Sequence, residues 1–424
     1  MKTVFSIRKL DSRSDFKQHA RPHSSTEVLQ FNSMENYDVV IIGAGLAGLH
    51  CARLLGKRGL SVLLVDRKEA LDASIHTTGI FVRRTLEDFD IPDDCLGPAV
   101  RHVTLYSPSR RRMELVSPHD EFRVGKMGRL YTRYLDHCLR AGVAWLPATR
   151  YVEQSCKKDK IAVRLETNAG GNTSRWVTTR YLVGADGANS RVARDLELEL
   201  NREWIVGVED VFTGVSLDGP PRLHCFLDPS IAPGYLAWVA HDGEETHVGV
   251  GGYAALFEPV RALEKFEAGL QGIVDLHTAK HGERRGGRIP VGGVLRNIAN
   301  KQGLLIGDAA GAVSPLTAGG LDPCMRLSTL AATVIAEYVE TGNAEALEAY
   351  SGDLFRARFA SRLWMRRLIS SVRHPALLEI TCASLRLPLF KSFARHVFFG
   401  RESFPDVDVQ FVPHPKCETT GVLP

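Results

Sequence analysis

Residues 37–68 read YDVVIIGAGLAGLHCARLLGKRGLSVLLVDRK, and this stretch decides the fold. Its continuous apolar run at 39–42 predicts a strand buried on both faces of a parallel sheet. Three glycines in G-x-G-x-x-G spacing follow, then a helical pattern, then a second apolar run at 61–65 that ends on Asp66. This order predicts a β-α-β unit that binds a dinucleotide.

Each glycine of the turn has a mechanical task. Gly43 allows the tight turn, Gly45 lets the backbone approach a pyrophosphate, and Gly48 lets helix and strand pack closely. The pyrophosphate would lie at the helix N-terminus, where free N–H groups favour negative charge. Asp66 is placed to accept hydrogen bonds from the ribose hydroxyls, and it would repel a 2′-phosphate. The predicted contacts are Gly43, Gly45, Ala47, Gly48, Asp66 and Arg67. At this point NAD and FAD both remain open.

A second motif, YLVGADGANSRVARDL, spans residues 181–196. It predicts a short strand, the pair Asp186-Gly187, and a helix that opens near Ser190. Two interpretations stand side by side. The pair is either a second cofactor contact or part of an ordinary strand-to-helix turn with an N-cap.

The third motif lies at 303–339, GLLIGDAAGAVSPLTAGGLDPCMRLSTLAATVIAEYV. It predicts a strand at 304–306, an acid, a loop of small residues, and a helix from about Gly320 to Val339. An acid at the carboxyl end of a parallel strand points into the ligand crevice, so Asp308 would bind a polyol chain. The small residues would admit a flat ring, and N–H groups near the helix start would stabilise a reduced, anionic flavin. The predicted contacts are Gly307, Asp308, Pro315, Gly319 and Gly320. A turn that binds no ligand is the alternative.

The three motifs in this order resemble the FAD-dependent oxidoreductases of the para-hydroxybenzoate hydroxylase fold. The resemblance implies that Gly43, Gly45, Gly48 and Asp66 hold the ADP half of FAD. It also implies that Asp186 and Gly187 form the middle fingerprint and that Asp308 binds the ribityl chain. FAD is therefore the expected cofactor.

Within that fold, IPVGGVLRN (289–297) and GDAAGAVSPLTAGG (307–320) look more like the geranylgeranyl reductase branch. Aromatic hydroxylases usually carry histidine where this chain has Gly311. The chain departs from the branch at Ala240-His241, which replaces a Phe-Pro pair, and in SIHTTGIFV (74–82), which lacks a Cys-Gly-Gly stretch.

The branch implies hydride transfer from reduced flavin to carbon–carbon double bonds of an isoprenoid or other hydrophobic substrate, with an acid that protonates the second carbon. The candidate acids are His76, His241 and Cys324, and each has a structural role as its alternative. Tyr235 and Trp238 are expected to line an apolar pocket unless they are core residues. A flavin monooxygenase that hydroxylates an aromatic or prenylated compound is the second hypothesis. A non-catalytic prenyl-binding escort protein is the third.

We predict an α/β fold: a Rossmann-type FAD-binding domain of three β/β/α layers, interleaved with a mixed β-sheet substrate domain and followed by a C-terminal helical segment. Residues 1–36 are expected to form a flexible tail, with a transit peptide or a misassigned start as alternatives. The FAD-binding domain is predicted over 37–345, in the segments 37–99, 126–199 and 291–345. The substrate domain is predicted at 100–125 and 200–290, and a helical cap and tail at 346–424.

The amino-acid composition limits the kinds of binding partner that are expected. The net charge of +4 and the 24% of charged residues do not call for nucleic acid, and the eight scattered cysteines predict no metal site. Residues 356–401 hold ten Lys/Arg and one acid. They are interpreted either as a peripheral membrane contact or as a solvated face. No second G-x-G-x-x-G unit follows a strand, so the electron donor is expected to visit transiently or to bind an atypical surface. The resemblance to the reductase branch implies NADPH or ferredoxin as that donor. The expected location is cytoplasmic, peripheral to a membrane if that contact exists, and no oligomeric state is indicated.

Overall fold

The computed structural model describes residues 34–157, 160–167 and 173–399, and those from Asn36 onward belong to one compact unit. Most of the predicted tail and the last 25 residues (400–424) lie outside the described part.

A parallel sheet forms the centre of the FAD-binding domain, as the first motif predicts. Its strands lie in the order β7-β2-β1-β10, with β16 on the far side of β10. The apolar runs of the sequence are completely buried here, since Val39, Val40 and Ile41 expose none of their surface. Burying each such side chain contributes roughly 1.5–3 kcal/mol. The strands are β1 (Glu35–Ile42), β2 (Val62–Val65), β7 (Ala144–Leu146), β10 (Thr173–Gly184) and β16 (Gly303–Leu305).

Strand β10 belongs to two arrangements. Its residues 182–184 pair in parallel with β16, while residues 173–179 pair antiparallel with β9 (Lys160–Thr167), which pairs with β8 (Thr149–Lys157). Three helices pack together by the parallel sheet: α1 (Leu46–Lys57), α3 (Met127–Arg140) and α6 (Leu321–Thr341). The predicted α/β fold with a Rossmann-type parallel sheet is confirmed.

A second, mixed sheet has the order β15-β11-β14-β13-β12-β4-β5. Only the β12–β4 pair is parallel among its described pairs. Helix α5 (Pro259–Ala268) covers one face, with Leu263 and Phe266 buried against Val248 and Val250. The strands are β4 (His102–Tyr106), β5 (Arg112–Val116), β11 (Trp204–Thr213), β12 (Arg222–Phe226), β13 (Ala237–His241), β14 (Glu245–Gly252) and β15 (Lys280–Pro290).

The sheet draws on both segments predicted for the substrate domain, with one departure. Strand β6 (Phe122–Val124) instead pairs with β3 (Ile80–Val82) in a separate two-stranded ribbon. Short helices α2 (Arg83–Asp88) and α4 (Arg191–Asp195) connect strands of the core.

Four helices end the described chain: α7 (Gly352–Arg358), α8 (Ala360–Ser371), α9 (Pro375–Ser384) and α10 (Pro388–Phe399). Glu379 of α9 fixes them to the second sheet, because its carboxylate accepts hydrogen bonds from Ser107 Oγ and Ser109 N, both at 3.0 Å. In the part of the chain that is described, no helix combines the length and the hydropathy needed to cross a membrane.

Candidate active site

In the turn after β1, two glycines are required by contacts within the polypeptide, and a third leaves a space that a ligand could occupy. Gly43 has φ +108°, and a Cβ there would lie 2.2 Å from the carbonyl oxygen of Ala185. A Cβ on Gly48 would lie 1.9 Å from the carbonyl oxygen of Gly43. Both glycines are thus fixed by backbone contact. A Cβ on Gly45 would meet no protein atom within 4 Å, so the polypeptide leaves this space open beside the N-terminus of α1.

Asp66 connects the end of β2 to this turn. Its Oδ2 accepts a hydrogen bond from Ala44 N at 2.6 Å, and its Oδ1 accepts one from Lys68 N at 2.8 Å. The neighbouring Arg67 is exposed. The carboxylate is therefore held in a fixed position at the edge of the turn, as a ribose contact requires.

Asp186 has the structural role that the sequence left open. Its carboxylate accepts hydrogen bonds from Ser190 Oγ at 2.6 Å and from the backbone N–H groups of Arg191 and Val192, so it caps helix α4. Gly187 adopts φ +84° beside it. The second motif still lies against the first, because a Cβ on Gly43 would be 3.0 Å from Asp186 N. A direct contact between this pair and the cofactor stays a prediction.

The third motif brings Asp308 to the same place. The loop packs on the first turn of α1, since a Cβ on Gly307 would lie 2.8 Å from the Cβ of Ala47. Burial raises the pKa of the Asp308 carboxyl to about 6. This carboxylate accepts no hydrogen bond from the described residues, although the Asp308 carbonyl binds Asn201 Nδ2 at 2.8 Å. Pro315 is buried and Gly319 is exposed along the loop that leads to α6.

These observations fit FAD. Three loops that are far apart in sequence meet at the N-terminus of α1, one has an open space where a pyrophosphate would approach, and another holds a carboxyl without a partner in the described chain. A long dinucleotide with a polyol arm needs these features in this order.

Aromatic side chains of β13 and the residues before it form a wall next to the loop. Tyr235 donates its hydroxyl proton to the carbonyl of Thr317 at 2.6 Å, and its ring meets that of Trp238 edge-on at 6.5 Å. A Cβ on Gly249 would lie 2.2 Å from Trp238 Cζ2, so the indole lies directly on the backbone of β14. Tyr235 therefore contacts the loop and Trp238 lies on the sheet, while their role as the lining of a substrate pocket stays a prediction.

The candidate acids are not brought together. His241 Nδ1 contacts Thr246 Oγ1 at 2.9 Å, and strand alternation puts His241 on the opposite face of the sheet from Trp238. Cys324 is buried, and its thiol donates to the carbonyl of Leu321 at 3.1 Å. Burial and the nearby Asp308 raise the pKa of this thiol well above its usual range. The pKa of His76, an exposed residue, is lowered by desolvation and by nearby Lys68 and Arg67. The three candidates therefore do not meet at one site, and the catalytic role of each stays a prediction.

Sequence reasoning missed a buried charged group on the Trp238 face. The ring of His247 lies between two carboxylates, with Nδ1 3.6 Å from Glu209 Oε1 and Nε2 3.9 Å from Asp242 Oδ2. Burial opposes a charge on His247, but the two carboxylates outweigh it and raise its pKa to about 9. Glu209 also accepts hydrogen bonds from Thr78 Oγ1 at 2.5 Å and Trp238 Nε1 at 3.3 Å. The sequence signal that could have found this group is a charged or polar residue within each of two largely apolar strands, Glu209 in β11 and His247 in β14.

No metal was predicted from the sequence. Asp242, Glu245 and His247 approach one another to within 4.8 Å. Each already has protein partners: Asp242 Oδ1 accepts from the backbone N–H groups of Glu244 and Glu245, Glu245 lies 3.5 Å from Arg285, and His247 lies between its two carboxylates. We therefore do not assign these residues as metal ligands.

Comparison with known proteins agrees with this geometry. Residues 36–366 match the FAD binding domain family. The digeranylgeranylglycerophospholipid reductase of Methanosarcina acetivorans is 25% identical over 72% of this chain and 77% of its own. A geranylgeranyl bacteriochlorophyll reductase-like protein from Thermoplasma acidophilum superposes with a TM-score of 0.75 at 20% identity, covering 90% of this chain and 98% of that one.

The p-nitrophenol 4-monooxygenase of Pseudomonas putida shares the fold less closely, with a TM-score of 0.68 at 17% identity over 88% of this chain and 99% of its own. The matched family covers more than three quarters of the chain, and the three motifs that define its cofactor site are in place. The chain belongs to the FAD binding domain family, and it is an FAD-dependent oxidoreductase that is similar in sequence and fold to proteins named as geranylgeranyl-type reductases.

Proposed function

We propose that this protein reduces carbon–carbon double bonds of an isoprenoid or similarly hydrophobic substrate. The observation that carries the proposal is the aromatic wall of Tyr235 and Trp238, which is joined to the loop after Asp308 by the hydrogen bond from Tyr235 to Thr317. Flat rings on a glycine-lined strand suit an extended hydrocarbon chain. The names of the curated relatives, which are lipid reductases, support the same substrate class.

FAD, when bound and reduced, supplies a hydride. The chain's own residues position it: the N-terminus of α1 and Gly45 would hold the pyrophosphate, Asp66 the ribose, and Asp308 the ribityl chain. The aromatic wall excludes water and holds the double bond beside the loop.

We assign the proton to the group of Glu209, His247 and Asp242. Glu209 lies on the wall face, hydrogen-bonded to Trp238 and Thr78, and His247 connects it to Asp242 at the turn between β13 and β14. Because the pKa of His247 is raised to about 9, the group holds a proton at neutral pH. Transfer of that proton through Glu209 to the second carbon completes the reduction, and Asp242 and His247 take up a replacement from water.

The test uses the purified holoenzyme under anaerobic conditions. It is reduced with NADPH, with reduced ferredoxin or with dithionite, and then mixed with geranylgeranyl substrates for mass analysis. A gain of two mass units without oxygen supports the reductase. Oxygen-dependent addition of 16 mass units would instead support the monooxygenase. The three reductants separately identify the electron donor, for which NADPH or ferredoxin is our proposal.

The proton assignment has its own test. Glu209→Gln is expected to lower turnover by about 100- to 10,000-fold, the range for loss of a general acid, while FAD content stays unchanged. The matched control is Glu114→Gln on exposed strand β5, which should leave turnover unchanged. Equal turnover of Glu209→Gln and the wild type would remove Glu209 from the mechanism.

We also propose that helices α8–α10 rest on an anionic membrane surface. Among the described side chains of these helices and of the turn between α9 and α10, eight large apolar ones are 44–68% exposed: Trp364, Leu368, Ile369, Leu377, Ile380, Leu387, Phe390 and Phe393. Exposed basic residues stand among them: Arg367, Arg373, Arg386, Lys391 and Arg395. The one acid of the segment, Glu379, points inward to Ser107 and Ser109. Apolar insertion with surrounding positive charge fits anionic lipid.

Vesicle co-sedimentation tests this surface. The wild type should bind phosphatidylglycerol vesicles more strongly than phosphatidylcholine vesicles, and Ile380→Ser should weaken binding to both. Leu139→Ser, at an exposed leucine of α3, is the control and should bind as the wild type does. Binding that ignores both lipid charge and Ile380 would refute the proposal.

A further inference from the structure

Helix α8 carries two arginines, Arg362 and Arg366, that face inward one turn apart. Arg366 is only 2% exposed. Burial lowers the pKa of the Arg362 guanidinium, which indicates that it too has lost much of its water. On the outer face of the same helix, Trp364 and Leu368 are exposed. The basic residues of α8 are therefore of two kinds, and these two are not part of the membrane-facing surface defined above.

Neither guanidinium has a carboxylate partner among the described residues. Arg366 lies over the rings of Tyr235 and Tyr253 at 5.5 and 5.1 Å, and its Nε donates to Tyr253 Oη at 3.3 Å. Its Nη2 is buried without a hydrogen-bond partner. Arg362 Nη1 donates to the hydroxyl of Ser314 at 3.0 Å. An acid is connected to Arg366 only indirectly among the described residues, because the Tyr253 hydroxyl donates to Glu203 Oε1 at 3.4 Å.

Arg326, another largely buried arginine, is by contrast neutralised directly. It donates from Nε to both oxygens of Asp322 at 3.0 Å and from Nη2 to Asp88 Oδ2 at 2.7 Å. A buried cation without an anion carries a desolvation cost of several kcal/mol. The pair on α8 is thus short of a negative charge that the described chain does not supply.

The position of the pair indicates what would supply it. Ser314 and Thr317 belong to the loop that follows Asp308, and Tyr235 is the residue that joins this loop to the aromatic wall. A hydrocarbon chain lying along Tyr235 and Trp238 would end beside Arg366. A guanidinium with free N–H groups binds phosphate oxygens in a forked geometry.

We propose that Arg362 and Arg366 bind the phosphate or diphosphate head of the isoprenoid substrate. The inference rests on the proposed function for the identity of the chain attached to that head. It adds that these two arginines of the cap hold the anionic head of that substrate and that the cap selects it before reduction.

The experiment measures binding to the oxidised holoenzyme by calorimetry, with no turnover. The probes are geranylgeranyl diphosphate, the uncharged geranylgeraniol, and inorganic pyrophosphate. The wild type is expected to bind the diphosphate more tightly than the alcohol. Arg366→Met should raise the Kd for the diphosphate by about 10- to 150-fold, because charge-assisted hydrogen bonds are lost. The Kd for the alcohol should change less than twofold, because the alcohol carries no charge. For Arg366→Lys, the Kd for the diphosphate should lie between those of the wild type and of Arg366→Met. Arg362→Met should also raise the Kd for the diphosphate.

Arg261→Met, at an exposed position of helix α5, is the matched control and should bind all probes as the wild type does. FAD content shows whether each variant is folded, and Arg362→Met serves if Arg366→Met is not. Equal wild-type affinity for the diphosphate and the alcohol would overturn the proposal, as would an equal loss of both in the variants. Pyrophosphate binding as tightly as the prenyl diphosphate would show a site for free anions and would also overturn it. Selective binding without a reduced product would leave this site standing and refute the proposed reaction alone.

Discussion

At Gly45 the folded polypeptide has room for a side chain, but a bound cofactor would not. An alanine substitution at this position therefore separates an effect on stability from an effect on cofactor affinity. A Cβ would have no protein atom within 4 Å, and the backbone angles of φ −69° and ψ 178° are open to any residue. We therefore expect flavin-free Gly45→Ala to keep its free energy of unfolding to within about 0.5 kcal/mol. The same methyl group would stand where a pyrophosphate must pass to reach the free N–H groups of α1.

The loss should appear in cofactor affinity. Inserting a methyl group into an occupied space costs about 1–3 kcal/mol, which corresponds to a roughly 5- to 150-fold rise in the Kd for FAD. Urea unfolding of the flavin-free protein and quenching of FAD fluorescence measure the two quantities separately.

Alanine substitutions at two other glycines serve as reference points for the stability of Gly45→Ala. Gly43→Ala combines φ +108° with a 2.2 Å contact, so its flavin-free form should lose about 2–5 kcal/mol. Gly59→Ala has φ +82° but open space, and it should lose about 1–2 kcal/mol from the backbone alone. The reasoning is refuted if Gly45→Ala binds FAD like the wild type. It also fails if flavin-free Gly45→Ala is as unstable as Gly43→Ala.

Three further outcomes are expected. Asp308→Ala should weaken FAD binding by about 10-fold or more in fluorescence titration, because one charge-assisted hydrogen bond to the ribityl chain is lost; unchanged affinity would contradict this. Gly249→Ala should displace the Trp238 indole and raise KM for a prenyl substrate with FAD content intact; an unchanged KM would show that the ring does not contact substrate. The raised pKa of His247 contributes stability that is full below pH 6.5 and lost as pH rises through about 9. Urea unfolding at pH 6 and pH 9.5 should differ by up to about 3 kcal/mol in the wild type and by clearly less in His247→Gln.

The β-α-β unit could be predicted because its signals are local. Apolar runs set the strands, glycine spacing sets the turn, and the acid at the end of β2 follows from the same register. The loop around Asp308 was predictable for the same reason, since strand, acid, small residues and helix are contiguous. The motifs sit where the strands end, and parallel strands bring their carboxyl ends to one edge.

The proton group was not predictable in this way. It depends on which residues of β11 and β14 lie opposite each other. Glu209 pairs with Gly249, and this register between the two strands cannot be predicted from the sequence of either strand. The face of the sheet on which His241 lies was not predictable for a related reason, since shifting a strand by one residue exchanges its faces. The distinction between buried Arg366 and exposed Arg367 likewise follows from how α8 docks on Tyr235, not from its own periodicity.

Strand parity also decides which of two neighbouring acids takes part in chemistry. Glu209 and Asp210 are 4% and 2% exposed, and the pKa of each is lowered despite burial, so neither property distinguishes them. The face of the strand does. Asp210 faces α5 and accepts two hydrogen bonds from Arg284, both at 2.8 Å, whereas Glu209 faces the wall and accepts a bond from Trp238. Each acid also has a histidine nearby, at 3.3 Å for Asp210 and His281 and at 3.6 Å for Glu209 and His247. The face of the strand therefore decides that it is the proton of His247, next to Glu209, that lies on the side of the aromatic wall.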